Sequence, residues 1–110
     1  MNIKEQVIQL TKEVIIDLVD CNYTKLKENN VLNEDTEQLV KTAVEYEGKI
    51  TLPPDNMEID LYEYNDNSGF GTETYLWFDD EESQLRLFCE AKTNAEKTEI
   101  THFYIDDIDA

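Results

Sequence analysis

Histidine, cysteine, glycine and basic residues are all scarce in this chain, and each scarcity removes a class of function. His102 is the single histidine of 110 residues. No serine, cysteine or acid motif surrounds it, so a histidine-based nucleophilic relay has no local support. The two cysteines, Cys21 and Cys89, match neither a metal-ligand spacing nor a disulfide framework, and are expected to be reduced and packed. Gly69-Phe70-Gly71 lacks the third glycine and the following helix of a nucleotide-binding loop, and reads as the exit of a turn. Apolar runs stop well short of a membrane span. Repeats, low-complexity stretches and internal linkers are absent. The expectation is a non-enzymatic protein with no catalytic residue, no cofactor and no metal.

Positive charge is the most consequential shortage. Nine basic residues face 26 acidic ones, a net charge of −17, well outside the magnitude of about 2–8 usual in a soluble design of this size. Phosphate binding depends on Lys and Arg, so neither direct nucleic-acid contact nor an anionic membrane is expected. A basic protein is the complementary partner. Self-repulsion on this scale costs stability, so the charge must confer something else: solubility or attraction to a positive surface. The imbalance is also uneven. Residues 1–54 carry 10 acids and 6 bases, net −4, whereas residues 55–110 carry 16 and 3, net −13. The opening Met1-Asn2-Ile3-Lys4-Glu5 starts an amphipathic segment in which charges break the apolar runs, so no secretory signal is expected and the cytoplasm is the expected compartment.

What is present suffices for one core. A hydrophobic fraction of 40% with eleven aromatic residues offsets chain entropy over a length typical of a single domain. The expected domain is 1–110, a helical layer over 1–48 and an antiparallel sheet over 50–105. Ile3, Val7, Leu10, Val14 and Leu18 recur at helical spacing, with Ile8, Ile15 and Val19 widening the stripe. Asn22 is a plausible stop. A short second helix follows over 23–29 and presents Tyr23 and Leu26. The third should begin at Asn33 or Asp35, either of which caps backbone N–H groups, with Glu34, Asp35 and Glu37 suiting the positive helix start. Gly48 is its natural end. Residues 50–52 read as a short extended piece, and Pro53-Pro54 as a corner between layers.

Beyond the prolines the period changes to two. Segments 59–64, 70–78, 84–92 and 98–105 are four strand candidates rich in Ile, Leu, Tyr, Phe and Thr. Asn65-Asp66-Asn67-Ser68-Gly69 is the clearest turn, Asp79-Asp80-Glu81-Glu82 a four-residue acidic loop, and 93–97 the last connection of a meander. Helices first and strands second predict an α+β fold with the helices on one face of a curled antiparallel sheet of about four strands.

Alternation assigns Thr72, Thr74, Leu76 and Phe78, with Leu85, Leu87, Cys89 and Ala91, to the core face. The other face then carries Glu73, Tyr75, Trp77, Arg86, Phe88 and Glu90, joined by Tyr62 and Tyr64. Trp, Tyr and Arg dominate binding energy at protein interfaces. The same rings could instead cover the sheet and pair across strands, since strands favour aromatics. The candidate partner-binding residues are Glu73, Tyr75, Trp77, Asp79, Asp80, Glu81, Glu82, Phe88 and Glu90.

Carboxylate density also invites a metal reading. Asp79-Asp80-Glu81-Glu82 and Asp106-Asp107-Ile108-Asp109 are the richest runs, but no register of Gly69 or Gly71 satisfies a calcium loop. Solvated acidic loops, or acids that steer a basic partner, are the readings left for both.

The stretch Glu45-Tyr46-Glu47-Gly48-Lys49-Ile50-Thr51-Leu52-Pro53-Pro54, then Leu61-Tyr62-Glu63-Tyr64-Asn65-Asp66 and Tyr75-Leu76-Trp77-Phe78-Asp79-Asp80-Glu81-Glu82-Ser83, resembles a small family of largely uncharacterised bacterial proteins. The element order resembles the cone-shaped NTF2-like and cystatin-like folds. Comparable small acidic proteins act as immunity proteins for contact-dependent or polymorphic toxins. The resemblance implies neutralisation of a cognate cationic toxin domain, commonly a nuclease, by covering its active site. Two other functions fit the residues. One is a mimic of nucleic acid whose carboxylates stand in for phosphates. The other is a small NTF2-like ligand-binding domain or enzyme using His102, Tyr46 or Tyr104 in a pocket between helix and sheet.

Overall fold

Two asparagines start the long helices of the computed structural model, which describes residues 1–66 and 68–110. Asn2 accepts a hydrogen bond from the Glu5 amide (2.8 Å) at the head of α1, Ile3–Val19. Asn33 and Thr36 form a reciprocal capping box at the head of α3, Glu34–Glu47. Such caps satisfy amides that a helix start leaves without partners. Between them lies α2, Tyr23–Glu28. Its Lys25 reaches back to Asp17 at 3.1 Å, while Asn22 Nδ2 donates to the same carboxylate oxygen at 3.0 Å. That explains how a nearly buried aspartate is accommodated on α1.

Gly48 ends α3 at φ +115°. A side chain there would be strained and would meet the carboxylate of Asp79, whose amide donates to Lys49 O at 2.8 Å. The turn between helix and sheet therefore depends on a missing Cβ.

Five strands follow: β1 Ile50–Thr51, β2 Asp60–Glu63, β3 Gly69–Phe78, β4 Glu81–Thr93 and β5 Ile100–Asp109. All pairings are antiparallel. β3 is central: β1 and β2 share one of its edges, β4 takes the other, and β5 lies beyond β4. Helices on one face of an antiparallel sheet make the expected α+β architecture. The sheet has five strands rather than about four, because residues 50–51 pair with Phe78 and Trp77. Ladder hydrogen bonds promote that short extended piece to a strand.

Four further expectations change. The acidic loop shrinks to a two-residue turn, Asp79 (φ 51°) and Asp80 (φ 64°), and Glu81 and Glu82 already belong to β4. Left-handed conformations at both central positions match the right-handed twist of the flanking strands, and Asp tolerates them. The last strand ends at Asp109 instead of 105, which puts Asp106-Asp107-Ile108-Asp109 in a ladder opposite Arg86 to Phe88. Cross-strand pairing outweighed local charge there. Cys21 is exposed at the end of α1, and only Cys89 is buried. The expected turn 65–69 connects β2 and β3, though Asn67 lies outside the described residues. Gly69-Phe70-Gly71 is the first part of β3 and not a turn exit.

Three irregularities bend the sheet, as extra residues on one strand do, one of them at Thr101 between the partners of Lys92 and Thr93. Ser83, Gln84 and Leu85 stand against the single residue Leu76. Ser83 Oγ bridges the gap by donating to Leu76 O (2.7 Å) and accepting from the Leu85 amide (3.1 Å). On β5, Asp106 is the additional residue between Ile105 and Asp107, so Ile105 and Ile108 both face inward.

The core lies between helices and sheet. Val7, Val14, Leu18 and Val40 meet Phe70, Leu76, Leu87, Cys89, Ile105 and Ile108, all buried. Each such side chain contributes about 1.5–3 kcal/mol relative to exposure. One polar contact crosses this layer, between the hydroxyls of Thr11 and Thr72 at 2.9 Å. The outer edge of β5 is partly covered by the α2–α3 connection, where the Ile105 amide donates to Val31 O at 2.8 Å. No helix among the described residues is long and apolar enough to cross a membrane.

Candidate functional site on the helix-free sheet face

Strand parity sends Glu73, Tyr75 and Trp77 of β3 away from the helices, with Arg86, Phe88, Glu90 and Lys92 of β4 beside them. Tyr62 arrives over Gly71, its partner across the β2–β3 ladder. A Cβ on Gly71 would collide with the Tyr62 ring. The face has two halves with different chemistry.

One half is internally satisfied. Glu90 accepts from Tyr64 Oη at 3.0 Å and from Tyr104 Oη, and Lys92 Nζ lies 3.5 Å from its carboxylate. Tyr62 meets Tyr64 edge-on at 5.6 Å, and His102 lies beside Tyr104 at 4.8 Å. Burial would push the Glu90 carboxyl up, but the bonds from Tyr104 and Tyr64 and the Lys92 ammonium outweigh it, leaving the group below the usual carboxylate range. Burial and the Glu90 bond carry Tyr104 up to about 12 and drive Tyr64 upward as well. A carboxylate held ionised beside two protonated phenols is a stable arrangement, poorly placed to give or take protons near neutrality.

The other half is not self-satisfied. Arg86 is bonded to Glu73 and lies 5.3 Å from the Phe88 centroid, so its charge is consumed within the face. Tyr75 is 46% exposed and Trp77 half-buried. Glu82 pairs with Trp77 across the ladder, which places it on the same face. Pro54, Asn56, Met57 and Glu58, from the β1–β2 connection, form the opposite wall of a groove of about 350 Å³ against Thr74, Tyr75, Trp77 and Glu82.

The register also brings the end of the second acidic run towards the first. Glu81 and Glu82 open β4 beside the end of β3, and Asp109 stands opposite Arg86 only four residues along β4 from Glu82. The bulge at 83–85 shortens that separation to the two-residue span from Tyr75 to Trp77 on β3, roughly 7 Å at strand rise. Asp109 thus comes nearest the 79–82 run, while Asp107 and Asp106 continue along β5 opposite Phe88 and beside Cys89, in mid-sheet; none of these seven acids has an ion-pair partner among the described residues. Burial first, then Glu90 and Asp107, hold the Asp106 carboxyl above the usual range.

Of the candidate partner-binding residues, Glu73, Tyr75, Trp77, Glu82, Phe88 and Glu90 share the face. Glu73 and Glu90 spend their charge on neighbours. Asp79 leaves the group, because its carboxylate sits against Gly48 and accepts from the Lys49 amide at 3.3 Å. Asp80 stays in the turn with its amide on Thr51 Oγ1 (2.8 Å), and Glu81 sits opposite Phe78, on the other parity. Sequence reasoning missed Pro54, Met57 and Glu58. The signal available was an apolar Leu52 and Met57 in a proline-bounded connection, where loops are ordinarily polar.

His102, Tyr46 and Tyr104 do not converge on a pocket. His102 Nε2 donates to Asn30 O at 2.9 Å, which fixes the protonated nitrogen, Tyr104 is bonded to Glu90, and Tyr46 on α3 is 80% exposed. Among the described residues every buried side-chain nitrogen and oxygen has a hydrogen-bond partner, and no three His, Cys, Asp or Glu side chains group as a metal ion needs.

The chain belongs to a family described as a domain of unknown function (DUF7668), whose model matches residues 15–110. The match takes in the whole sheet and most of the helical layer. No curated protein and no solved structure matches it.

Proposed function

We propose that this protein is an immunity-type inhibitor that binds and neutralises a cognate basic toxin domain, such as a nuclease, through the acid-rich end of its sheet. The observation that carries the reading is a run of acids without ion-pair partners among the described residues, from the 79–82 turn to Asp109 and on along β5 to Asp107 and Asp106, beside the exposed Tyr75 and the half-buried Trp77. A nuclease must present positive charge to phosphates, and a concentrated negative field both steers encounter and competes for that surface. Aromatic side chains beside the acids supply the desolvated contact area that charge alone does not. The resemblance to small acidic immunity proteins points the same way, and in this reading the protein acts in the cytoplasm.

The test is to express the genes that neighbour its own, to mix the purified protein with any basic toxin domain among their products, and to measure complex formation and toxin activity. A stoichiometric complex, inhibited toxin and an association rate that falls at least about tenfold between 0.05 and 0.5 M salt are expected. Asp80→Asn/Glu81→Gln/Glu82→Gln should slow association by about tenfold, with a smaller change in dissociation. A toxin that is neither bound nor inhibited overturns the proposal.

A further inference from the structure

β1 pairs with only the last two residues of β3, and β2 with Phe70 to Glu73. The edge at Thr74 to Leu76 is left without a strand. Residues 52–59 span that gap, held by a hydrogen bond from Thr74 Oγ1 to Glu58 O at 2.8 Å. The groove between this connection and the sheet has Pro54 and Met57 on one side, Tyr75 and Trp77 on the other, and the exposed Glu58 and Glu82 beside them. No Lys or Arg lines it. Neither Glu58 nor Glu82 takes part in an ion pair among the described residues.

We infer that this groove seats one arginine side chain of a basic protein partner, its guanidinium lying against Tyr75 and Trp77 and bonded to Glu58 and Glu82. The inference rests on the function proposed above and names the anchor of that interface. At about 350 Å³ the groove is at the small end of ligand sites, large enough for one long side chain and too small for a helix. An apolar side chain would desolvate two carboxylates without pairing them, which costs more than the burial returns. Arginine is preferred to lysine because its planar, weakly hydrated guanidinium stacks on aromatic faces while offering paired donors to carboxylates. The one arginine of the chain does not compete, since Arg86 is bonded to Glu73 and stacked on Phe88.

Trp77 is the sole tryptophan of the chain, so its fluorescence reports on the groove alone. The probe is an eight-residue peptide of alternating arginine and glycine, titrated into the full chain by fluorescence and by calorimetry. Peptides carrying citrulline or lysine at the arginine positions serve as controls. A saturable change in Trp77 emission is expected with arginine and none with citrulline, which keeps the shape and loses the charge. Glu58→Gln/Glu82→Gln should weaken the arginine peptide by about fivefold or more, and lysine should bind weaker than arginine by about threefold. Glu96→Gln/Glu99→Gln removes the same charge between β4 and β5, at the opposite end of the sheet, and should change affinity by less than about twofold. Tyr75→Ala, at an exposed ring, gives an independent lesion with the same expected loss.

Peptide binding seen by calorimetry with no response of Trp77, or equal losses in the two double variants, overturns the arginine seat while leaving the acidic end as the docking surface. A toxin complex that forms normally with Glu58→Gln/Glu82→Gln, or with the arginine peptide failing to bind, also overturns the seat. Only failure of the toxin complex itself overturns the function on which it rests.

Discussion

Thr11 and Thr72 offer a test of the packing that joins the helices to the sheet. Both side chains are buried, at 0% and 1% exposure. Thr11 Oγ1 donates its only proton to Val7 O at 2.9 Å, so in the 2.9 Å contact between the hydroxyls Thr72 must be the donor. That direction makes the two residues unequal. Thr72→Val removes a donor while Thr11 keeps its bond to Val7, and should cost about 1 kcal/mol. Thr11→Val leaves the Thr72 hydroxyl buried with only the weak acceptor Cys89 Sγ across the ladder, and should cost about 2 kcal/mol. Valine keeps the branched shape at both sites, so replacing both removes the unpaired group as well as the bond. The double variant should therefore lose no more than about 1 kcal/mol, a coupling of about 2 kcal/mol. Urea unfolding followed by circular dichroism gives the free energies of all four proteins, and their thermal melts should shift in Tm by about 4 °C per kcal/mol. Single costs that add within about 0.5 kcal/mol, or a larger loss from Thr72→Val, would refute the assigned proton direction.

The Glu90 network should leave a signature in the pH dependence of stability. Glu90 is held below its ordinary value, so its contribution is present above the unfolded carboxyl pKa and is lost as pH falls through the folded one. Tyr104 is raised to about 12, so its contribution is complete below the unfolded phenol value of 10.0 and is lost as pH rises towards about 12. The wild-type protein minus Tyr64→Phe/Tyr104→Phe should therefore give a flat stability difference between these limits that falls at both ends. Parallel pH curves for the two proteins would contradict it. At Asp106 the sign is reversed, because a raised carboxyl destabilises the fold once ionised. Asp106→Asn should stabilise at pH 7 by about 0.5 kcal/mol, screened as surface charges are, and the gain should vanish near pH 3. A loss at pH 7 would mean the carboxylate makes a bond that the structure does not show.

Local patterning decided most of the elements of this protein. Apolar residues at helical spacing from Ile3 to Leu18 and the asparagine at 33 are short-range signals, and α1 and α3 lie where those signals place them. Alternation sorted Leu87, Cys89 and Ala91 from Arg86, Phe88 and Glu90 because a strand turns successive side chains to opposite faces. Misreadings arose where pairing overrode local charge. Glu81, Glu82 and the 106–109 run read as solvated loops, yet ladder hydrogen bonds to β3 and β4 hold them in strands. Residues 50–51 became a strand for the same reason.

The sequence by itself settled the sign of the surface, its concentration in residues 55–110, and the two-layer α+β plan, all of which follow from composition and from periods of a few residues. Which acids stand together was a different matter. The approach of Asp109 to the 79–82 run depends on the β4–β5 register and on the irregularities at 83–85 and Asp106. The retirement of Glu73 and Glu90 into internal pairs depends on Arg86, Tyr64 and Tyr104 arriving from other strands. The groove beside Trp77 exists because β1 and β2 leave a gap on one edge of β3 that the proline-bounded connection crosses. Each is a contact between residues distant along the chain, which only tertiary pairing specifies.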